Sequence, residues 1–263
     1  MGCFAARACG ALAGRAAWAG RVLSVHPRAV NILRADGLAV SAVADRADMS
    51  AMAVLSNDLF QTPPDTALVD TAVRMEEGVI SFDAFASVDC TECPVWEGNV
   101  NAAAVRLVPV ERIHAIRDSF FTFGKPGGLL GLLRNDPVES PFVTRVRTAL
   151  REGRPEELVG CGPGLTPAGD DFLTGAILAS SSSNRIDGER LERVLPGTTP
   201  LGRTLVWTAL QGRFPAYLLE FIDAIVGAAV SDDALRIAVR KACAHGETSG
   251  TDALAGFCWQ KLS

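Results

Sequence analysis

Two stretches of the chain carry residue types that could do chemistry at matched spacing. Gly169-Asp170-Asp171-Phe172-Leu173-Thr174-Gly175 and Gly250-Thr251-Asp252-Ala253-Leu254-Ala255-Gly256 both read G-x-D-x-L-x-G, with Thr166 and Thr248 just upstream. The first follows the loop "VGCGPGLTP", the second follows "AHGETS", and each leads into an apolar run. Such a loop lets backbone N–H groups point inward past glycines, and the helix behind it offers unpaired N–H groups and the positive end of its dipole. A small anion is the natural occupant. A third segment, "GTTPLGRTL", again sets hydroxyls, Thr198 and Thr199, before a helix.

In any one loop, Thr, Ser or Asp ahead of a helix is an ordinary cap worth about 1 kcal/mol. Three such loops in one half of the chain point to a shared pocket. Thr166, Thr248, Thr198 and Thr199 are the hydroxyls that these loops offer. His245, one of three histidines, precedes the second loop and is either a ligand contact or a helix-terminal cation. Asp170, Asp171 and Asp252 would repel a bound phosphate, so they need another role. They either accept hydrogen bonds from an amide or amine of the substrate, or meet the phosphate through a divalent cation. Side chains of adjacent helical residues diverge, which makes Asp170-Asp171 a weak metal signal. No cofactor is required by the sequence, and Mg is a possible companion.

The composition limits the alternatives. The chain has 263 residues, 48% hydrophobic and 21% charged, with a formal net charge of -5. That is ordinary for a globular protein, and the absence of a basic stripe argues against a nucleic-acid partner. The Ala-rich start is interrupted by Arg7 and Arg15, unlike a secretory signal, and Ala6 stands where N-myristoylation wants Ser or Thr. No run is long enough for a membrane span, so a cytoplasmic protein without membrane association is expected. The seven cysteines are odd in number and scattered, which fits reduced thiols. Cys90-Thr91-Glu92-Cys93 is the one CxxC; without a second pair, solvated or half-buried thiols are the simple reading.

The positioning elements divide the chain in two. Residues 1–110 read as a β-rich region with a short N-terminal helix. "RVLSV" and "GVISF" alternate, Asp36-Gly37 sits between apolar runs as a hairpin turn would, and "NAAAVRLVPV" is expected to close the sheet. Residues 111–263 read as a helical domain carrying both motifs. Val110, Ile113, Ile116 and Phe120 recur at helical spacing. "FGKPGGLLGLL" fails as a phosphate loop because Pro126 follows Lys125, leaving a Gly-rich turn into an apolar helix. A serine-rich connector, "SSSSNRIDGE", follows at 180–189, two helices break near Gly212–Pro215, Ser231 caps a helix ended by Gly246, and a last helix runs to about Leu262. The expected class is α+β, with ligand loops at helix N-termini.

"GCGPGLTPAGDDFLTGAI" resembles the G-x-G-P-G-L-T-P-S/A-G-D-D signature of the AllH family, long catalogued as a domain of unknown function and sometimes labelled a carboxylase. "GRVLSVHPRAVNIL", "TTPLGRTL" and "HGETSGTDALAG" resemble other family segments. The resemblance implies a subunit of the oxamate carbamoyltransferase of allantoin breakdown, acting with other protein subunits. That activity transfers a carbamoyl group from carbamoyl phosphate, a small anion, to the nitrogen of oxamate or a similar small amide. Carried over position by position, the resemblance implies an anion cradle of Gly162, Gly164, Thr166 and Gly169, completed by Thr198, Thr199, Thr248, Ser249 and Gly250, with Asp170, Asp171 or Asp252 orienting or deprotonating the amide. Ala168 departs from the Ser of many relatives and removes one hydroxyl. Two other functions fit the residues: a small-anion-binding or regulatory subunit without catalysis, and a metal-assisted phosphoryl-transfer enzyme.

Overall fold

The computed structural model describes residues 2–14, 16–62, 64–83, 85–134, 141–180, 186–227 and 229–262. The class is α+β: a curled, half-barrel sheet comes first and a helical half follows. Two compact units divide between Asn99 and Val100.

The first unit is a ten-stranded sheet built from β1 (Gly2–Ala5), β2 (Ala8–Gly10), β3 (Trp18–His26), β4 (Ala29–Arg34), β5 (Ala39–Val43), β6 (Ala53–Leu55), β7 (Ala72–Glu76), β8 (Val79–Phe82), β9 (Ala86–Asp89) and β10 (Val95–Trp96). Their order is β1-β9-β8-β7-β3-β4-β5-β6-β2-β10. Alternation makes the core: Val73 and Met75 of β7 point in while Ala72, Arg74 and Glu76 stay out, and Ile80 and Phe82 of β8 follow the same rule. The Asp36-Gly37 turn joins β4 to β5 as expected, with Gly37 at φ 82 and the Asp36 carboxylate accepting the Leu38 N–H at 3.2 Å. Two expectations fail here. The N-terminal segment is strand, because β1 pairs in parallel with β9 and β2 pairs with β6 and β10, so sheet pairing overrides the helix propensity of its alanines.

The other failure lies past the sheet. "NAAAVR" forms a helix, α1 (Ala102–Arg106), where Asn101 accepts the Ala104 N–H at 3.1 Å and three successive alanines follow the cap. The rest of the second unit comprises α2 (Val110–Phe123), α3 (Pro141–Arg151), α4 (Ala168–Ala179), α5 (Gly188–Val194), α6 (Pro200–Leu210), α7 (Ala216–Ile225), α8 (Asp232–Ala244) and α9 (Ser249–Leu262). "LLGLL" after the Gly-rich turn is a short 3-10 segment, Leu129–Leu133, rather than an α-helix. In α2 the stripe is Ile113, Ile116 and Phe120, while Val110 at the first turn is 51% exposed. Ser231 caps α8 through the Ala234 N–H, and Leu235, Ala238, Val239 and Ala242 are its buried stripe, as the spacing predicts. Residues 181–185 of the serine-rich connector lie outside the described residues, and its end, from Gly188, already belongs to α5.

α4 and α9 are the two central helices. Nearly every residue of both is buried, with outer helices packed around them. A helix apolar on all sides belongs in the middle of a bundle. Their crossing is set by the glycines of the repeated motif: a Cβ on Gly175 would overlap the carbonyl of Ala253, and one on Gly256 would overlap the carbonyl of Phe172. Phe172 and Ala253 hold the same place in the two motifs, so the crossing has a local two-fold relation.

Candidate functional site

The crossing brings the N-termini of α4 and α9 together, and with them the aspartates. All three are buried: Asp170 and Asp252 are 0% exposed and Asp171 is 2% exposed. Taking a carboxylate out of water costs several kcal/mol unless it is paired or protonated. The three meet this demand differently.

Asp170 is fully engaged. Its Oδ1 accepts the Gly160 N–H at 2.9 Å and its Oδ2 accepts the Thr198 hydroxyl at 2.5 Å. It ties the first loop and the "GTTP" segment to the start of α4. Gly202 lies against the same carboxylate because a Cβ there would collide with it. Burial pushes the Asp170 carboxyl up, and the Thr198 and Gly160 hydrogen bonds hold it partly down.

Asp171 and Asp252 face one another and each keeps one oxygen free. Asp252 Oδ1 accepts the Leu129 N–H at 2.6 Å, supplied by the Gly-rich turn, and Gly128 packs so close that it has no room for a side chain. Oδ2 of Asp252 and Oδ2 of Asp171 are buried without a hydrogen-bond partner. Burial raises Asp252 to about 6, against the Leu129 N–H and the Thr248 hydroxyl, which lower it. Burial first and the Asp252 charge second push Asp171 well above the carboxylate range, with the Ser249 and Thr166 hydroxyls lowering it in part. Burial and mutual repulsion thus both favour protonation within the pair, most strongly at Asp171.

The candidate binding residues fall into two groups. Thr166 and Ser249 meet across the helix starts, hydroxyl to hydroxyl at 3.2 Å, and with Thr248 they line the aspartate pair. Thr198 serves Asp170; Thr199 caps α6 through the Gly202 N–H at 3.0 Å and donates its hydroxyl to the Leu165 carbonyl at 2.5 Å, latching the first loop. Gly162 and Gly164 take left-handed φ of 114 and 102 and shape that loop near the surface. Gly169 and Gly250 are packing positions: their N–H groups go to the carbonyls of Cys161 at 2.8 Å and His245 at 3.1 Å, and a Cβ on either would overlap a backbone carbonyl.

His245 is half-buried and stacks on Tyr217, with ring centroids 3.8 Å apart and 10° between planes. Burial, helped by the Lys125 charge, lowers His245 to about 4. It is a neutral ring at pH 7 rather than a helix-terminal cation. Lys125 takes the cation's part, its Nζ donating to the carbonyls of Ala244 and Gly246 at 2.8 and 2.6 Å, at the end of α8.

Three participants escaped the sequence reading. Tyr217 is buried, and the charges of Asp171 and Asp252 add to burial in raising its hydroxyl. It is the chain's single tyrosine, which was the available signal. Lys125 and the Leu129 N–H come from the turn set aside as a failed phosphate loop; only its glycine density hinted at a close approach. Among the described residues no group of three or more His, Cys, Asp or Glu side chains is disposed to hold a metal ion, and no helix is long and apolar enough to cross a membrane.

Residues 158–260 match the family model described as oxamate carbamoyltransferase subunit AllH. The match begins in the turn before the first loop and ends within α9, so it takes in both copies of the motif, Thr198, Thr199 and Tyr217, while Lys125 and Leu129 lie outside it. Over this segment the resemblance read from the motifs is borne out, and the description names one subunit of a multi-subunit transferase. No solved structure matches the chain.

Proposed function

We propose, starting from an AllH-type segment over residues 158–260, that the chain is a subunit of a carbamoyltransferase acting on carbamoyl phosphate and oxamate or a similar small amide. The observation that carries this reading is the facing pair Asp171 and Asp252, each with a buried, unpaired Oδ2, beside the Thr166 and Ser249 hydroxyls at two helix starts. Buried acceptors without donors suit a ligand rich in N–H groups, which a carbamoyl group and a primary amide both are. The helix starts and hydroxyls suit the phosphate.

In the reaction, the amide nitrogen attacks the carbamoyl carbon, the carbon–oxygen bond to phosphate breaks, and the nitrogen gives up one proton. Asp252, ionised above pH 6, accepts that proton, and Asp171, whose carboxyl burial pushes well up, holds the amide by a hydrogen bond beside it. N–H groups and hydroxyls of the Gly162–Thr166 loop and of Thr248–Ser249 meet the charge that grows on the departing phosphate. Asp252 and Thr248 lie against the Gly124–Gly128 turn, whose displacement would admit the substrate.

The test is turnover in the assembled complex with Asp252→Asn and Asp171→Asn. A loss of about 100-fold or more in kcat for Asp252→Asn supports the base role, and unchanged turnover in both variants removes the pair from the mechanism. A second reading, an anion-binding or regulatory subunit without its own chemistry, is favoured by one observation: both free oxygens are closed to solvent. Thermal shift separates the two. Stabilisation by carbamoyl phosphate beyond that by phosphate, lost in Thr166→Ala, together with normal turnover in both aspartate variants, would select the second.

A further inference from the structure

The first unit carries a thiol cluster that the transferase reading does not use. Cys9 lies on β2, and its N–H is donated to the Pro94 carbonyl at 3.0 Å. β1 and β9 run in parallel register from Gly2↔Ala86 to Ala5↔Asp89, and the pairing resumes at Cys9↔Val95. Between these points the N-terminal strand spends three residues and its neighbour spends five, so the second chain bows out as Cys90-Thr91-Glu92-Cys93-Pro94. That bow sets Cys90 against Cys9, side chain to side chain within hydrogen-bonding contact. Cys93 turns back over the same spot, with its Sγ donating to the Cys90 carbonyl at 3.3 Å. Gly14 borders Cys9 so closely that a Cβ there would meet the Sγ at 2.6 Å, which leaves the thiol facing its partner.

We infer that Cys9 and Cys90 form a reversible disulfide on exposure to a hydroperoxide, a modification site at the seam where the N-terminal strands join the sheet. The adjacent Cys90 side chain lowers the Cys9 thiol, outweighing the burial that raises it, and so favours the Cys9 thiolate, the form that reacts. Oxygen transfer from the hydroperoxide gives a sulfenic acid at one sulfur and releases water or the corresponding alcohol. The second sulfur attacks the first, the hydroxyl leaves as water with the second thiol's proton, and two thiols have given two electrons to the peroxide. Cys9 itself is 5% exposed, while Cys90 and Cys93 are half-buried, so a reductant re-enters through Cys90, the accessible sulfur of the bond. The bond would tie β2, held between β6 and β10, to the chain leaving β9.

Tryptic mapping of the folded full-length chain tests this directly, because cleavage after Arg7, Arg15, Arg74 and Arg106 places Cys9 in residues 8–15 and both Cys90 and Cys93 in residues 75–106. After hydrogen peroxide and an alkylating quench under denaturing conditions, the expected product is peptide 8–15 disulfide-linked to 75–106, released by dithiothreitol. The link should persist in Cys93→Ser and vanish in Cys90→Ser. An internal Cys90–Cys93 bond with Cys9 alkylated, a link that survives Cys90→Ser, or no link in the unmodified sequence overturns the proposal. The wild-type result needs no variant to fold. It is also independent of carbamoyl transfer, since these cysteines lie outside residues 158–260.

Discussion

The two central helices start from the same motif and end with different duties. Position by position, Gly169 matches Gly250, Asp171 matches Asp252, and Gly175 matches Gly256; each serves the same purpose on both sides of the crossing. The position between them differs. Asp170 on α4 engages Gly160 and Thr198 and so fastens two segments, whereas Thr251 on α9 accepts one N–H, from Lys125 at 3.0 Å. The packing half of the device is symmetric, the facing carboxylates are symmetric, and the structural tie has diverged. This separates residues that must be the same for the helices to cross from residues free to specialise.

The largest effect should come from breaking the symmetric packing. Alanine at Gly175 or Gly256 gains about 1 kcal/mol of helix propensity, but its Cβ would overlap a backbone carbonyl that can retreat only if the central helices part. A net loss of at least about 3 kcal/mol is expected from either substitution, read as the urea midpoint. Because the two glycines sit at equivalent places in one interface, the double variant should cost less than the sum. Gly131→Ala, with nothing within 4 Å, should stay within about 0.5 kcal/mol and serves as the control. Equal tolerance at all three sites would dissolve the two-fold comparison.

The facing carboxylates come next, through pH. Asp252 stands near 6 in the folded chain against 3.8 ordinarily, so the folded state holds the proton more tightly. Its contribution is fully present below about pH 4 and is lost as pH rises through 6, and Asp170 and Asp171 act in the same direction. His245, lowered to about 4, works oppositely: its contribution is present above the ordinary imidazole value and is lost as pH falls through 4. Stability measured by urea unfolding between pH 4 and 6 should therefore fall with rising pH. Asp252→Asn should flatten that fall by up to about 1.4 kcal/mol per pH unit, one proton's worth, and His245→Phe should steepen it. A slope unchanged by Asp252→Asn would mean that its carboxyl is ionised throughout.

How much of this could be read beforehand follows the range of the forces involved. The α8 cap at Ser231, the Asp36-Gly37 turn and the break between α6 and α7 depend on neighbours a few residues away, and the sequence displays them. The strand at Gly2–Ala5 depends on residues 86–89, so an alanine-rich composition gave the wrong element. Likewise "NAAAVR" reads as a strand until the cap at Asn101 is recognised. At the site, the repeated motif announced Asp171, Asp252, Thr166 and Thr248, and the family resemblance added Ser249. It could not distinguish the occupied Asp170 from its free neighbour, because Gly160 and Thr198 meet it only after folding. Tyr217 and Lys125 arrive from α7 and from the turn after α2, distant in sequence and unmarked by any motif.

The diverged position gives the smallest effects and the sharpest contrast. Thr198→Val keeps the shape but leaves Asp170 Oδ2 buried without its donor, which should cost about 2–3 kcal/mol because the stranded partner is a carboxylate. Thr251→Val strands the Lys125 N–H and removes the hydroxyl that meets the Cys243 thiol, both neutral groups, and should cost about 1–2 kcal/mol. The two also differ in pH response. Losing the Thr198 hydroxyl removes a group that holds Asp170 down, so the carboxyl rises and the Thr198→Val deficit shrinks on acidification, while the Thr251→Val deficit stays level. If both deficits were equal and insensitive to pH, Asp170 would be a packing residue like its counterpart, and the specialisation of α4 would have to be sought in the loop before it.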